Sequence, residues 1–184
     1  MLKKIILYVF FIWIITSCNS QYKQNLNVDN QYQKFDKNIS IELNNQWVKD
    51  ESFRINQYCL RQGIKTKISK SGLRYFIIED VKGLSYPEPG DYVVLSYDVR
   101  LMDPFKTRCY HSDSNGLAKF QIEKSMVESG LHEVVTYLNK GDSALVILPH
   151  FLAHGVTGDS KKIPPLSSVL YYIKLILNDF VYFS

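Results

Sequence analysis

The chain has 184 residues, with 46% hydrophobic, 14% aromatic and 22% charged residues, the balance of a packed domain and not of a disordered tail. Its 22 Lys and Arg against 18 Asp and Glu give a formal net charge of +4, dispersed and without a basic stripe interleaved with aromatics, so nucleic acid is not an expected partner. One folded domain is the default for this length.

Lys3-Lys4 and the apolar run Ile5 to Ile15 form the charged and hydrophobic regions of an export signal. The run is shorter than the roughly 20 residues that a membrane-spanning helix needs. It closes on Ile15-Thr16-Ser17-Cys18, which resembles the lipobox of bacterial lipoproteins and implies removal of residues 1–17 and lipidation of Cys18. A plain signal peptide with an incidental cysteine is the other reading. From 18 to about 40 the chain is Asn, Gln, Tyr, Lys and Asp with almost no aliphatic pattern, so it reads as a flexible polar tether holding the domain near a membrane through the lipid on Cys18. No acidic cluster follows Cys18, which favours the periplasmic face of the outer membrane over the cell surface. In that oxidising compartment Cys59 and Cys109 are the thiols left, either joined as one disulfide or buried free.

Residues 41–70 read as an N-terminal helical extension. Val48, Ile55 and Cys59 share one helical stripe, Asp50 is a suitable N-cap and Gly63 a suitable terminator, which predicts a helix over 50–62. After Lys65 to Ile68, Ser71-Gly72 introduces a strand over 73–79. The clearest strand follows, with Val93, Leu95, Tyr97, Val99 and Leu101 alternating against polar neighbours and Tyr97 on the aliphatic face. An irregular stretch over 102–116 precedes a short strand over 117–122. Leu131, Val134, Val135 and Leu138 then predict a short amphipathic helix before Gly141. Ser143 to Leu148 is a continuous apolar strand ended by Pro149, and Val169 to Leu177 is a last alternating strand. The Gly/Pro loop between them, 149–166, has the length of a functional loop. This order predicts an α+β fold, a curved antiparallel sheet packed on one short α-helix.

His150 and His154 have a four-residue spacing, but Pro149 and Gly155 bracket them and no third ligand is near in sequence, so no metal site is expected. His132 and Glu133 lie opposite Leu131 and Leu138, on a face that reads as solvated. Tyr97 and Tyr171 suit a sheet core as well as a site. No Gly-x-Ser-x-Gly elbow supports a hydrolase.

Over 71–179 the order and spacing of these elements resemble the FKBP-type peptidyl-prolyl isomerases. Ser71-Gly72-Leu73-Arg74-Tyr75 looks like the family's opening strand. Pro89-Gly90-Asp91 with Val94-Leu95-Ser96-Tyr97 looks like its turn and tyrosine-bearing strand, and Gly130-Leu131 with Leu138 and Gly141-Asp142 looks like its helix. Leu148-Pro149 through Ala153-His154-Gly155 to Ile163-Pro164-Pro165 looks like its active-site loop. Lipobox, leash, helix and this domain together are similar to the gliding-motility-associated isomerase lipoproteins of Bacteroidota.

The resemblance implies rotation about X–Pro bonds of polypeptide clients during folding of exported proteins, by a monomer, with no cofactor and no metal. It implies a catalytic pocket of Tyr97, Val127, Glu128, Leu131, His154, Ile163 and Tyr171, with Phe120, Asp113 and Tyr110 binding substrate. Leu131 replaces the family's floor tryptophan, His154 its loop tyrosine, and Ala118 a wall phenylalanine. Glu128 stands for an aliphatic residue whose backbone N–H meets the substrate carbonyl. Cys109-Tyr110-His111-Ser112-Asp113 allows several registers and none reproduces the usual Phe-Asp, so either Asp113 supplies the carboxylate from a shifted position or the carboxylate is lost. Each aromatic lost removes roughly 150–250 Å² of contact, which implies weak isomerisation, or binding without turnover.

Overall fold

The computed structural model describes residues 21–82 and 85–179, so the export signal and Cys18 lie outside the described residues. The chain divides into two compact units, residues 1–49 and 50–184. Helix α1 (Gln21–Gln62) begins in the first and ends in the second. Where the sequence suggested a flexible tether to about 40 and a helix only from Asp50, the backbone is helical from Gln21 onward. Polarity limits what such a segment can bury, but no Gly or Pro interrupts 19–62, and those two residues carry the large helix penalties.

In the second unit, Ile55, Tyr58 and Cys59 of α1 are buried with Leu145, Ile147 and Leu170. The helix stops where the N–H groups of Gly63 and Ile64 donate back to the carbonyls of Leu60 and Cys59. The strands are β1 (Lys67–Ile68), β2 (Arg74–Glu79), β3 (Tyr92–Leu101), β4 (Arg108–His111), β5 (Ala118–Gln121), β6 (Ser143–Leu148) and β7 (Val169–Asp179). Two short helices interrupt them, α2 (Ser112–Asn115) and α3 (Ser129–Val135). All strand pairs are antiparallel, in the order β1-β2-β6-β7-β3-β4, with β5 also on β3. β4 and β5 share one edge of β3: Tyr110 faces Val99 towards one end, and Ala118 faces Leu95 towards the other. The stretch expected to be irregular over 102–116 therefore contains β4 and α2, each too short to leave a periodic signature.

The main core lies between the sheet and α3. Val93, Leu95, Val99, Val146, Leu148, Val169 and Leu175 pack there with Leu131, Val134, Val135 and Leu138, the four residues that predicted the helix. Alternate residues of β6 divide between the two clusters, Ala144, Val146 and Leu148 against Leu145 and Ile147. A strand covered on both faces has no polar side to show, which explains why its sequence is apolar without alternation. Cys59 and Cys109 are both free and buried, in different clusters. Of the two options left open by the sequence, free thiols are the one the fold adopts.

Candidate active site

A cavity of about 350 Å³ is walled by strands, by the start of α3 and by the loop after β6, within the size range of small-ligand sites. Sheet register supplies its aromatic side. Tyr97 sits across from Ile173 and Val99 from Tyr171 on β3 and β7, while Val99 also faces Tyr110 on β4. Leu95 faces Ala118, and Val93 faces Phe120, on β5. Because opposite residues in an antiparallel pair keep their side chains on one face, these pairings bring Leu95, Tyr97, Val99, Tyr110, Ala118, Phe120, Tyr171 and Ile173 to one cavity. The opposite wall is Val127, Glu128 and Leu131, where the chain enters α3 through Glu128.

The rim is polar. Tyr171 is 3% exposed, and its hydroxyl donates to Glu128 Oε1 at 2.7 Å. Burial, then the Glu128 charge and this bond, hold its pKa well above the ordinary tyrosine value, so it serves as a neutral donor. His154 Nε2 lies 3.1 Å from the same carboxylate oxygen, yet off the line of a hydrogen bond, which leaves this buried nitrogen without a hydrogen-bond partner. A second carboxylate comes from the loop after β6. Asp159 Oδ1 accepts the N–H groups of Lys161, Lys162 and Ile163 at 2.9, 2.9 and 2.8 Å, and Oδ2 accepts the Tyr110 hydroxyl. Burial alone would raise the Asp159 pKa, but the Tyr110 bond and the three backbone donors outweigh it and hold the carboxyl well below the usual range. The same bond, helped by burial, pushes the Tyr110 pKa up to about 12.

Of the residues expected at the site, Tyr97, Tyr110, Phe120, Val127, Glu128, Leu131, His154 and Tyr171 line this cavity. Ile163 does not: it is 2% exposed within the main core, and its backbone N–H, not its side chain, serves the site through Asp159. Asp113 is also displaced. It lies in the first turn of α2 with its side chain 86% exposed, and the carboxylate beside Tyr110 is Asp159 instead. Lys161 was missed as well. The signal for Asp159 was local, since Gly158-Asp159 followed by polar residues is turn chemistry in which Asp caps backbone N–H groups.

Nearby expectations also change. The His132-Glu133 face is not a free solvated one. His132 Nδ1 accepts the Glu123 N–H at 3.0 Å, and the ring packs edge-on against Phe120. Glu133 accepts the hydroxyls of Ser71 and Tyr137. His150 is turned away from His154 towards Glu51.

The sequence profile of FKBP-type peptidyl-prolyl cis-trans isomerases matches residues 83–176. Over 128 residues the chain is 31% identical to the probable FKBP-type peptidyl-prolyl cis-trans isomerase FkpA of Neisseria meningitidis serogroup B, covering 70% of this chain and 44% of that protein. The chain thus spans less than half the length of this curated relative. Among solved structures, FkpA from Escherichia coli superposes with a TM-score of 0.60 at 21% identity, over 97% of this chain and 82% of that one. A multi-domain immunophilin from Arabidopsis thaliana gives 0.57 at 22% identity, over 62% and 45%. At these identities the structural likeness concerns the fold, an FKBP-like antiparallel sheet on a short helix.

Proposed function

The chain belongs to the FKBP-type peptidyl-prolyl cis-trans isomerase family, and from that premise we propose that it speeds rotation about X–Pro bonds of polypeptides held between Tyr97, Leu131 and Tyr171. The observation that carries this reading is the cavity itself, lined by Leu95, Tyr97, Val99, Phe120, Leu131 and Tyr171, with the Glu128 carboxylate and the His154 ring as its polar side. The reaction needs no nucleophile and no metal. Its barrier is amide resonance, about 18–20 kcal/mol, and a pocket lowers it by favouring the twisted amide over the planar one. Apolar walls strip water from the prolyl amide, whose planar, charge-separated form loses more by that than the twisted one does, and the Glu128 backbone N–H would anchor a neighbouring substrate carbonyl so that the ring is held while the bond turns.

The Glu128 carboxylate favours a second reading. A charge at the rim, where the family has an aliphatic side chain, supports capture of a protein partner without turnover. Activity in the wild type is accordingly expected to be weak.

Residues 1–18 support a place for this domain. Removal of 1–17 and lipidation of Cys18 would put it at the periplasmic face of the outer membrane, acting as a monomer on exported clients. A role in gliding motility is the narrowest form of this reading, and the order of lipobox, helix and domain supports it.

The test is an NMR exchange measurement of cis–trans rates in Ala-Xaa-Pro-Phe peptides. Acceleration by the wild type that falls about tenfold or more in Tyr97→Ala is the expected result. No acceleration for any Xaa, from folded protein, rejects isomerisation and leaves partner binding.

A further inference from the structure

Glu51 lies about three turns from the end of α1 and is 0% exposed. A carboxylate buried so deeply is costly unless its lone pairs are met, and both oxygens have partners. Oε1 accepts the His150 backbone N–H at 2.7 Å and the Ser168 hydroxyl at 2.6 Å, and Oε2 lies 2.6 Å from His150 Nδ1. These groups belong to the two ends of one loop. His150 is the second residue after β6, and Ser168 immediately precedes β7. Between them the loop brings His154, Asp159 and Lys161 to the cavity.

Bonds within the loop carry the constraint onward. The His150 carbonyl accepts the N–H groups of Ala153 at 3.1 Å and Gly155 at 2.7 Å, which fixes the turn on which His154 stands. The Gly155 carbonyl in turn accepts the Leu166 N–H at 3.2 Å, two residues before Ser168. The loop is cross-braced, and among the described residues Glu51 is the side chain from outside it that bonds to both of its ends.

We propose that Glu51 is a positioning residue for the cavity: by accepting from His150 and Ser168 it staples the base of the 149–168 loop and sets where His154 stands relative to Glu128. Only the kinetic part of this inference rests on the isomerase reading. The staple joins the 50–62 part of α1, which lies in the same unit as the sheet, to the site, so this part of the helix acts as a working part of the domain.

The variants Glu51→Ala, Glu51→Gln and Ser168→Ala in the full chain test it, through amide hydrogen exchange and isomerisation of Ala-Leu-Pro-Phe. Gln keeps the oxygen that accepts from His150 N–H and Ser168, and its amide donates to the other tautomer of His150. It should match the wild type within about twofold. Ala removes every acceptor, so exchange over 150–168 should quicken about tenfold and KM should rise by a similar factor, with kcat changing less. Ser168→Ala should quicken exchange at the far end of the loop alone. The proposal is overturned if exchange in Glu51→Ala rises equally in β3 and β7, as a merely structural role would give, or if neither readout moves. It is also overturned if Glu51→Gln is as impaired as Glu51→Ala. Should Glu51→Ala not fold, an unchanged loop in Ser168→Ala overturns it. If the wild type isomerises nothing, the isomerase reading fails, and the exchange arm decides on the staple by itself.

Discussion

Replacing Gly158 by Ala is expected to damage the site more than its half-buried loop position suggests. Gly158 has φ +67°, and an added Cβ would meet the Ile163 carbonyl oxygen at 2.2 Å, the Pro164 carbonyl carbon at 2.8 Å and the Pro165 nitrogen at 2.9 Å. All three are backbone atoms, so no rotamer change relieves the overlap. The turn must open, and what closes it is the Asp159 N–H bond to the Ile163 carbonyl at 3.1 Å together with the three N–H groups on Asp159 Oδ1. The left-handed backbone costs an Ala about 1–2 kcal/mol, and each hydrogen bond lost adds about 0.5–1.5 kcal/mol. With one or two bonds broken the total is about 3 kcal/mol. Gly155→Ala is the internal control: it has φ +66° in the same loop, and nothing lies within 4 Å of its added Cβ, so only the backbone cost of about 1–2 kcal/mol applies. In a domain of this size 1 kcal/mol moves the midpoint by about 3–6 °C. Thermal unfolding should therefore place Gly158→Ala about 5–10 °C below Gly155→Ala. Displacing Asp159 should also let the Tyr110 pKa, now about 12, fall towards the ordinary value near 10, as read by ultraviolet titration. Equal melting shifts for the two variants, or an unmoved Tyr110, would refute the reasoning.

Tyr110→Phe removes the donor on Asp159 and should make the protein less stable at neutral pH. The folded pKa of Asp159 lies below its unfolded value, so its contribution is fully present above about pH 4 and is lost as pH falls through the lower folded value. The gap in urea midpoints between wild type and variant should hold from neutral pH to about 4 and shrink below it; a gap that widens in acid contradicts the assignment. Cys18→Ala should move the protein from the membrane fraction to the soluble one with its isomerisation rate unchanged, and a variant still in the membrane fraction would remove the case for lipidation.

Much of the fold was legible because burial leaves periodic traces. The alternation from Val93 to Val99 and the spacing of Leu131, Val134, Val135 and Leu138 are direct images of one buried face; β3 lies where its residues placed it, whereas α3 ends at Val135 and Leu138 joins the core from beyond its end. β4 and α2 left no such trace, since four residues make only two periods of a strand and about one turn of a helix. The helical reach of α1 back to Gln21 was hidden for another reason. Composition reports what a segment can bury, and a helix needs only the absence of breakers. Cavity residues carried on strands, such as Tyr97 and Tyr171, could be placed by parity alone. Those on the loop could not, because which of Asp113 and Asp159 reaches Tyr110 depends on how the loop folds back.

The same distinction bears on catalysis. The resemblance implies Trp, Tyr and Phe at the positions of Leu131, His154 and Ala118, and a cavity of about 350 Å³ stands open beside these three residues. What replaces aromatic packing is a bond: Tyr171 is tied through its hydroxyl to Glu128 at the start of α3, so one wall is held by a charge-assisted contact of the stronger kind. A wall fixed in this way is preorganised, and preorganised walls favour a twisted amide without having to move. Twisting takes negative charge off the carbonyl oxygen, so a carboxylate beside that oxygen opposes the planar form more than the twisted one. Turnover and mere holding of a client would share this fold, so Glu128 and His154, 3.1 Å apart at the cavity, are the side chains whose exchange should distinguish the two readings.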